Sequence, residues 1–137
     1  MNTSLSIRSA GPEDIPMIGY LAQQIWPVAY KDILSADQMN YMLTLFYSPE
    51  SLMSQMLEQR HRFLVVEEGE EPLGFASWSE TGENGQFKLH KIYILPNQQG
   101  KGIGKLLIDC VSQAIRPLGA TALRLNVNRN NKARQFY

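Results

Sequence analysis

The chain reads QGKGIG from Gln99 to Gly104, three glycines within five residues directly ahead of an apolar run of helical period. A helix start carries unpaired N–H groups and the positive end of the peptide dipole, so it attracts anions. Glycines help by adopting positive φ and by letting a ligand come close to the backbone. The N–H groups of Gln99, Gly100, Lys101, Gly102, Ile103 and Gly104 can ring a pyrophosphate, with Lys101 and Lys105 adding positive charge beside it. A glycine-containing strand-to-helix turn that binds nothing has the same spacing. Two other phosphate motifs fit poorly. A Walker A loop needs Ser or Thr after Gly-Lys, and here Leu106 follows Gly104-Lys105. A dinucleotide fingerprint needs GxGxxG after the first strand of a βαβ unit, and here GKGIG follows a strand of a meander.

His90 lies on the strand leading into this turn, and an imidazole titrates near neutrality, so it is a candidate general base. Strict alternation places it on one face with Ile92 and Ile94, opposite Lys91 and Tyr93. A core or surface histidine is the plainer reading. A water chain held by Glu80 or Glu83 is another route for the proton. His61 follows a helix end and reads as a capping or solvent residue. Two histidines so far apart in sequence, with one cysteine, make no metal site. That cysteine, Cys110, sits in an apolar helical run and reads as packing.

Holding such groups in place takes a sheet and covering helices. Leu5–Ser9 alternates as a first strand. Pro12, Glu13 and Asp14 open a helix whose apolar face is Ile15, Ile18, Leu21, Ala22 and Ile25. Pro27 is expected to break it, directing Trp26 and Tyr30 toward an acceptor, although large aromatics are more often core. Ser35 and Gln38 form a capping box for a second helix, and Ser48-Pro49 opens a third. Met39, Met42, Met53 and Met56 read as helix packing. FLVVEE, LGFASWSE and QFKLHKIYIL then give a three-stranded antiparallel meander joined at GEEP and TGENG. A helix from Gly102 to about Pro117, a strand ALRLNV and the start of a last helix, NNKARQFY, complete the chain. The expected fold is a single α/β (α+β) domain, a mixed, mostly antiparallel twisted sheet flanked by helices.

At Gln99–Gly104 the sequence resembles the acyl-coenzyme A signature of the GNAT superfamily of N-acetyltransferases, Gln/Arg-x-x-Gly-x-Gly/Ala. The strand LHKIYILP before it and the helix KLLIDCVSQAI after it match in kind and order. LNVNRNNKARQFY resembles the second conserved region, an Asn-x-x-Ala-x-x-x-Tyr arrangement met by Asn130, Ala133 and Tyr137. The resemblance implies an acyl-coenzyme A core over residues 62–137, with residues 12–60 as the variable substrate-side helices. It implies acetyl-coenzyme A as cofactor, with its pyrophosphate on Gln99–Gly104. The pantetheine arm would pair with the main chain of Ile92, Tyr93 and Ile94, and Asn130 would position that arm. Ile94 N–H would serve as oxyanion donor and Tyr137 as general acid, so that a primary amine attacks the acetyl thioester directly in a ternary complex. The family's last two strands are absent after Tyr137. The resemblance therefore implies a C-terminally incomplete domain, and an unpaired sheet edge favours self-association, such as a homodimer.

Thirteen basic and thirteen acidic residues leave no net charge and no basic stripe, which argues against a nucleic-acid partner. No run of 18 apolar residues argues for a membrane span, and a lone cysteine without a secretory segment points to the cytoplasm. The acceptor is expected to be a small amine held near Trp26, Tyr30 and Glu80; Asp32, Asp37 or Glu83 could also draw a cationic one. A noncatalytic acyl-coenzyme A binding or sensing domain and an interaction domain with a vestigial loop are the alternatives.

Overall fold

The computed structural model describes residues 5–125. Five strands lie in one sheet in chain order, β1 (Leu5–Ala10), β2 (Arg62–Glu68), β3 (Glu71–Glu80), β4 (Gln86–Ile94) and β5 (Ala122–Leu125). The first four pair antiparallel, and β5 runs parallel to β4. The parallel pair needs a crossover, which α4 (Ile103–Ile115) supplies. Between β1 and β2 come α1 (Ile15–Ala29), α2 (Ala36–Tyr47) and α3 (Pro49–Leu57). This is the mixed, mostly antiparallel sheet expected from the sequence.

Local chemistry explains the element starts. Ser35 Oγ accepts from Gln38 N–H at 3.1 Å while Gln38 Oε1 accepts from Ser35 N–H at 2.9 Å, so the expected box caps α2 on both sides. Ser48 Oγ accepts from Ser51 N–H at 3.2 Å and starts α3. Ahead of α1, Pro12–Asp14 forms a 3-10 turn, and Asp14 accepts two bonds from Arg8 of β1, at 2.9 and 3.0 Å. Pro27 does not break α1, which continues to Ala29. The proline falls within the last turn, so it costs the helix one bond near an end that frays anyway.

The sheet buries both faces. Ile18, Leu21, Ile25, Leu52, Phe63, Val65 and Phe75 join α1, α2 and α3 to one face. Val66, Ala76, Trp78, Ile92, Ile94, Ile103, Leu107 and Val111 join α4 to the other. Each fully buried Leu or Val contributes about 1.5–3 kcal/mol. Met39, Met42 and Met56 pack against the first cluster as expected, whereas Met53 is exposed. Cys110 is half-buried on α4.

One irregularity governs the site. β3 and β4 shift register between Ser77 and Trp78, which face Lys91 and Leu89, so His90 is the extra residue of a β-bulge. Phe87 and Leu89 before the bulge, and Ile92 and Ile94 after it, all reach the α4 face.

Candidate functional site

The glycine-rich turn has the backbone its sequence demands. Gly100 has φ +85° and Gly102 φ +78°, both left-handed, and Gly102 is the N-cap of α4. Space is open where a Cβ would stand on either. Ile103 and Gly104 are buried in the first turn of α4, which sets that turn firmly on the sheet. The N–H groups of this turn have no intrahelical acceptor. Lys101 and Lys105 are exposed beside it, Lys101 donating to Gln98 Oε1 at 3.1 Å. Gln99 reaches back with Nε2 to the Ile94 carbonyl at 3.5 Å, tying the turn to the end of β4.

The edge of β4 leads straight to this turn. Leu95 N–H donates to Leu73 C=O at 2.9 Å, in register with Gly74 opposite Ile94. Main-chain groups alternate along a strand, so Tyr93 turns its N–H and C=O toward Phe75 of β3. Ile92 and Ile94 turn theirs the other way, toward β5. Among the described residues, however, β5 pairs only with Gln86–Leu89. Among the described residues, Ile92 and Ile94 therefore turn main-chain donors and acceptors to an edge with no ladder partner, the Ile94 carbonyl meeting only Gln99 Nε2. Tyr93 does not share that edge, which corrects the expectation of three consecutive pairing residues. Gly74, not singled out from the sequence, shapes this segment. A Cβ there would lie 2.5 Å from the Tyr93 carbonyl oxygen and 3.1 Å from Ile94 Cα.

The bulge overturns the alternation argument for His90. Its ring faces the α1–α3 side, opposite Ile92 and Ile94 and together with Lys91. His90 Nε2 lies 2.7 Å from Ser79 Oγ, and its ring stacks on His61 at 3.9 Å and 8°. Distance in sequence was thus a poor guide, and His61 is a ring partner rather than a solvent residue. Burial lowers both imidazoles to about 4, helped by Lys88 and Lys91 and, for His90, by His61. Both rings are neutral at neutral pH. Lys91 is held by Gln55 Oε1 at 2.7 Å, 5.7 Å from the centres of the Tyr47 and Phe63 rings. Burial lowers it to about 8.

The remaining candidates separate. Trp26 is 4% exposed and packs on Tyr30, Phe46, Tyr47 and Tyr93, so it is core. Tyr30 is half-buried, its hydroxyl 2.8 Å from that of Tyr93. Glu80 pairs across the ladder with Phe87, on the α4 face. It lines a cavity of about 330 Å³ with Glu83, Gln86 and Leu118 at the far end of β4 from the glycine turn. The fold does not bring it to His90. Asn130 and Tyr137 lie outside the described residues.

Comparison with known proteins identifies the family and the fold. The acetyltransferase (GNAT) domain family matches residues 31–137. A Mycobacterium tuberculosis protein named probable N-acetyltransferase Rv2775 is 23% identical, over 98% of this chain and 78% of its own. The PaiA N-acetyltransferase of Thermoplasma acidophilum, solved with coenzyme A, superposes with a TM-score of 0.87 at 24% identity, over 96% of this chain and 84% of its own. A GNAT family acetyltransferase of Brucella melitensis, solved with acetyl-coenzyme A, gives a TM-score of 0.67 at 24% identity, over 98% and 82%. On the strength of a domain match that spans most of its length, this chain belongs to the GNAT family of acetyltransferases.

Proposed function

We propose that this chain transfers the acetyl group of acetyl-coenzyme A to a primary amine, both being bound at once. The observation that carries this is the continuity of two features, the main-chain groups of Ile92 and Ile94 turned away from β3 and the left-handed Gly100–Gly102 turn opening α4. Coenzyme A has a chemistry for each, a pantetheine arm rich in amides and a pyrophosphate. Two structural neighbours of this chain were solved with coenzyme A or acetyl-coenzyme A. When bound, the cofactor supplies an activated acetyl thioester.

The chain's residues do the rest. N–H groups from Gln99 to Gly104 take the pyrophosphate, with Lys101 and Lys105 as counter-charge and Ile103 anchoring the turn. Ile92 and Ile94 pair with the amides of the arm, and Ile94 N–H is placed to stabilise charge on a carbonyl oxygen. His90, neutral and fixed by Ser79 and His61, accepts the proton of the incoming amine. Tyr137 returns a proton to the departing sulfur, and Asn130 positions the arm. Tyr30 borders the acceptor side, and Trp26 supports it from the core.

Calorimetric titration with acetyl-coenzyme A tests this first, beside Gly102→Val. Saturable binding by the parent, lost in a variant that still unfolds cooperatively, supports the assignment. A folded parent that binds no acetyl-coenzyme A, and releases no thiol with any amine, overturns it.

A further inference from the structure

The α1–α3 face of β4 carries an unbalanced charge. Lys88, His90 and Lys91 project there, with His61 stacked on His90. β3 adds Ser79, and α3 adds Gln55, which engages Lys91. Among the described residues no carboxylate pairs with them. The ion pairs among the described residues join Arg8 to Asp14 and Glu67, and Arg124 to Glu83, all elsewhere. Glu80 lies on the opposite face. Lys91 is committed to Gln55 and two aromatic rings, whereas half-buried Lys88 has no hydrogen bond or ion pair among the described residues.

This cluster lies where an acceptor would meet the cofactor. From Ile94 back to His90 is about 13 Å along the strand, at 3.3 Å per residue. A bound arm would run that way from the glycine turn. A cationic acceptor arriving there meets two ammonium groups and no counter-charge among the described residues, whereas an anionic group meets the Lys88 ammonium.

We infer that Lys88, beside the His61–His90 pair, binds a carboxylate of the acceptor, so that the acceptor class is a small amino acid rather than a polyamine. This rests on the acetyltransferase reading above. Burial first, and then the two lysines, holds both imidazoles low, and a bound anion would offset the lysines' share. A carboxylate in this place must raise both histidines toward their ordinary value.

The test uses the full chain saturated with coenzyme A, so that no turnover is required. The probes are N-acetylglycine, N-acetylalanine and N-acetylphenylalanine, each against its carboxamide, with N-acetylspermidine as the cationic arm. Calorimetry reads affinity, and the imidazole proton resonances read the histidine titrations. At least one acid is expected to bind about tenfold more tightly than its amide, a difference of ~1.4 kcal/mol. It should also move the imidazole titrations upward. Lys88→Gln should abolish that preference and Lys88→Arg retain it, both unfolding near the parent's temperature. The proposal is overturned by equal affinity of acids and amides, by preference for N-acetylspermidine, by no acid binding below 10 mM, or by a preference that survives Lys88→Gln. Failure of coenzyme A itself to bind would instead count against the acetyltransferase reading.

Discussion

Gly74→Ala tests whether the fit between β3 and β4 sets the cofactor edge. The new Cβ would stand 2.5 Å from the Tyr93 carbonyl oxygen, 3.1 Å from Ile94 Cα and 3.2 Å from Ile94 Cγ1. That is about 1 Å short of a relaxed contact, and two of the three obstacles are backbone. No rotamer change relieves it, so β4 must move away from β3 just where Leu95 N–H meets Leu73 C=O at 2.9 Å. Overpacking of this kind costs about 1–3 kcal/mol. For a chain of this length that lowers Tm by roughly 4–12 °C. The displaced segment contains Ile94, and Ile92 lies two residues back along the same strand. Two edge hydrogen bonds worth about 0.5–1.5 kcal/mol each are exposed to the shift. Coenzyme A affinity should therefore fall by roughly 5- to 160-fold. Thermal unfolding and calorimetric titration measure the two effects separately. Gly69→Ala is the control: its φ is +63°, but no atom lies within 4 Å of a Cβ there. It should cost about 1 kcal/mol of backbone strain without changing affinity. If Gly74→Ala keeps the parent's Tm, the packing argument is wrong; if Tm falls and affinity holds, the glycine serves the sheet alone.

Gly102→Val should cost about 1–2 kcal/mol for a side chain in the left-handed region, while the open space around it preserves α4. Coenzyme A affinity, read by calorimetry, should drop more than tenfold. The guanidinium of Arg8 holds the Asp14 carboxyl below the usual carboxylate range. Its stabilising contribution is therefore present above about pH 4 and lost as pH falls through the depressed value. Asp14→Asn should lower Tm at pH 7 and show a smaller further loss in acid. The histidines act over a different window. Folded values of about 4 against an unfolded value of about 6.5 mean that the unfolded chain binds more protons in between. Stability should rise from pH 4 to 6.5 in urea titrations, and His61→Phe, which keeps a ring on His90, should flatten that rise by roughly half.

Much of the fold was legible because local rules and tertiary packing agree. Ser35 with Gln38, and Ser48 before Pro49, fix their helix starts through bonds within three residues, and no distant contact overrides them. Gly100 and Gly102 were legible for a similar reason, since a left-handed turn into a helix has few other solutions. Pro27 was misjudged because its effect depends on how much helix follows, and only Val28 and Ala29 do. His61 was misjudged because a ring stack between the segment before β2 and a residue of β4 leaves no mark on local sequence.

The face assignment of His90 failed in a more instructive way. Alternation assumes an unbroken strand, and β4 is broken at His90 and Lys91. Yet the break is written in the spacing, since the apolar residues Phe87, Leu89, Ile92 and Ile94 step by two, three and two. One consistent face requires an extra residue at the step of three, and the two polar residues inserted there must then leave that face together. The bulge thus puts a histidine and a lysine side by side beneath α3. It also keeps the downstream isoleucines in the core, with their main-chain groups turned to the proposed cofactor edge. Removing one residue from that step would restore regular pairing and leave the four apolar residues on one face, with a single polar residue between Leu89 and Ile92 on the other. The inserted residue therefore adds a second polar side chain to the α1–α3 face without disturbing the core on the α4 face.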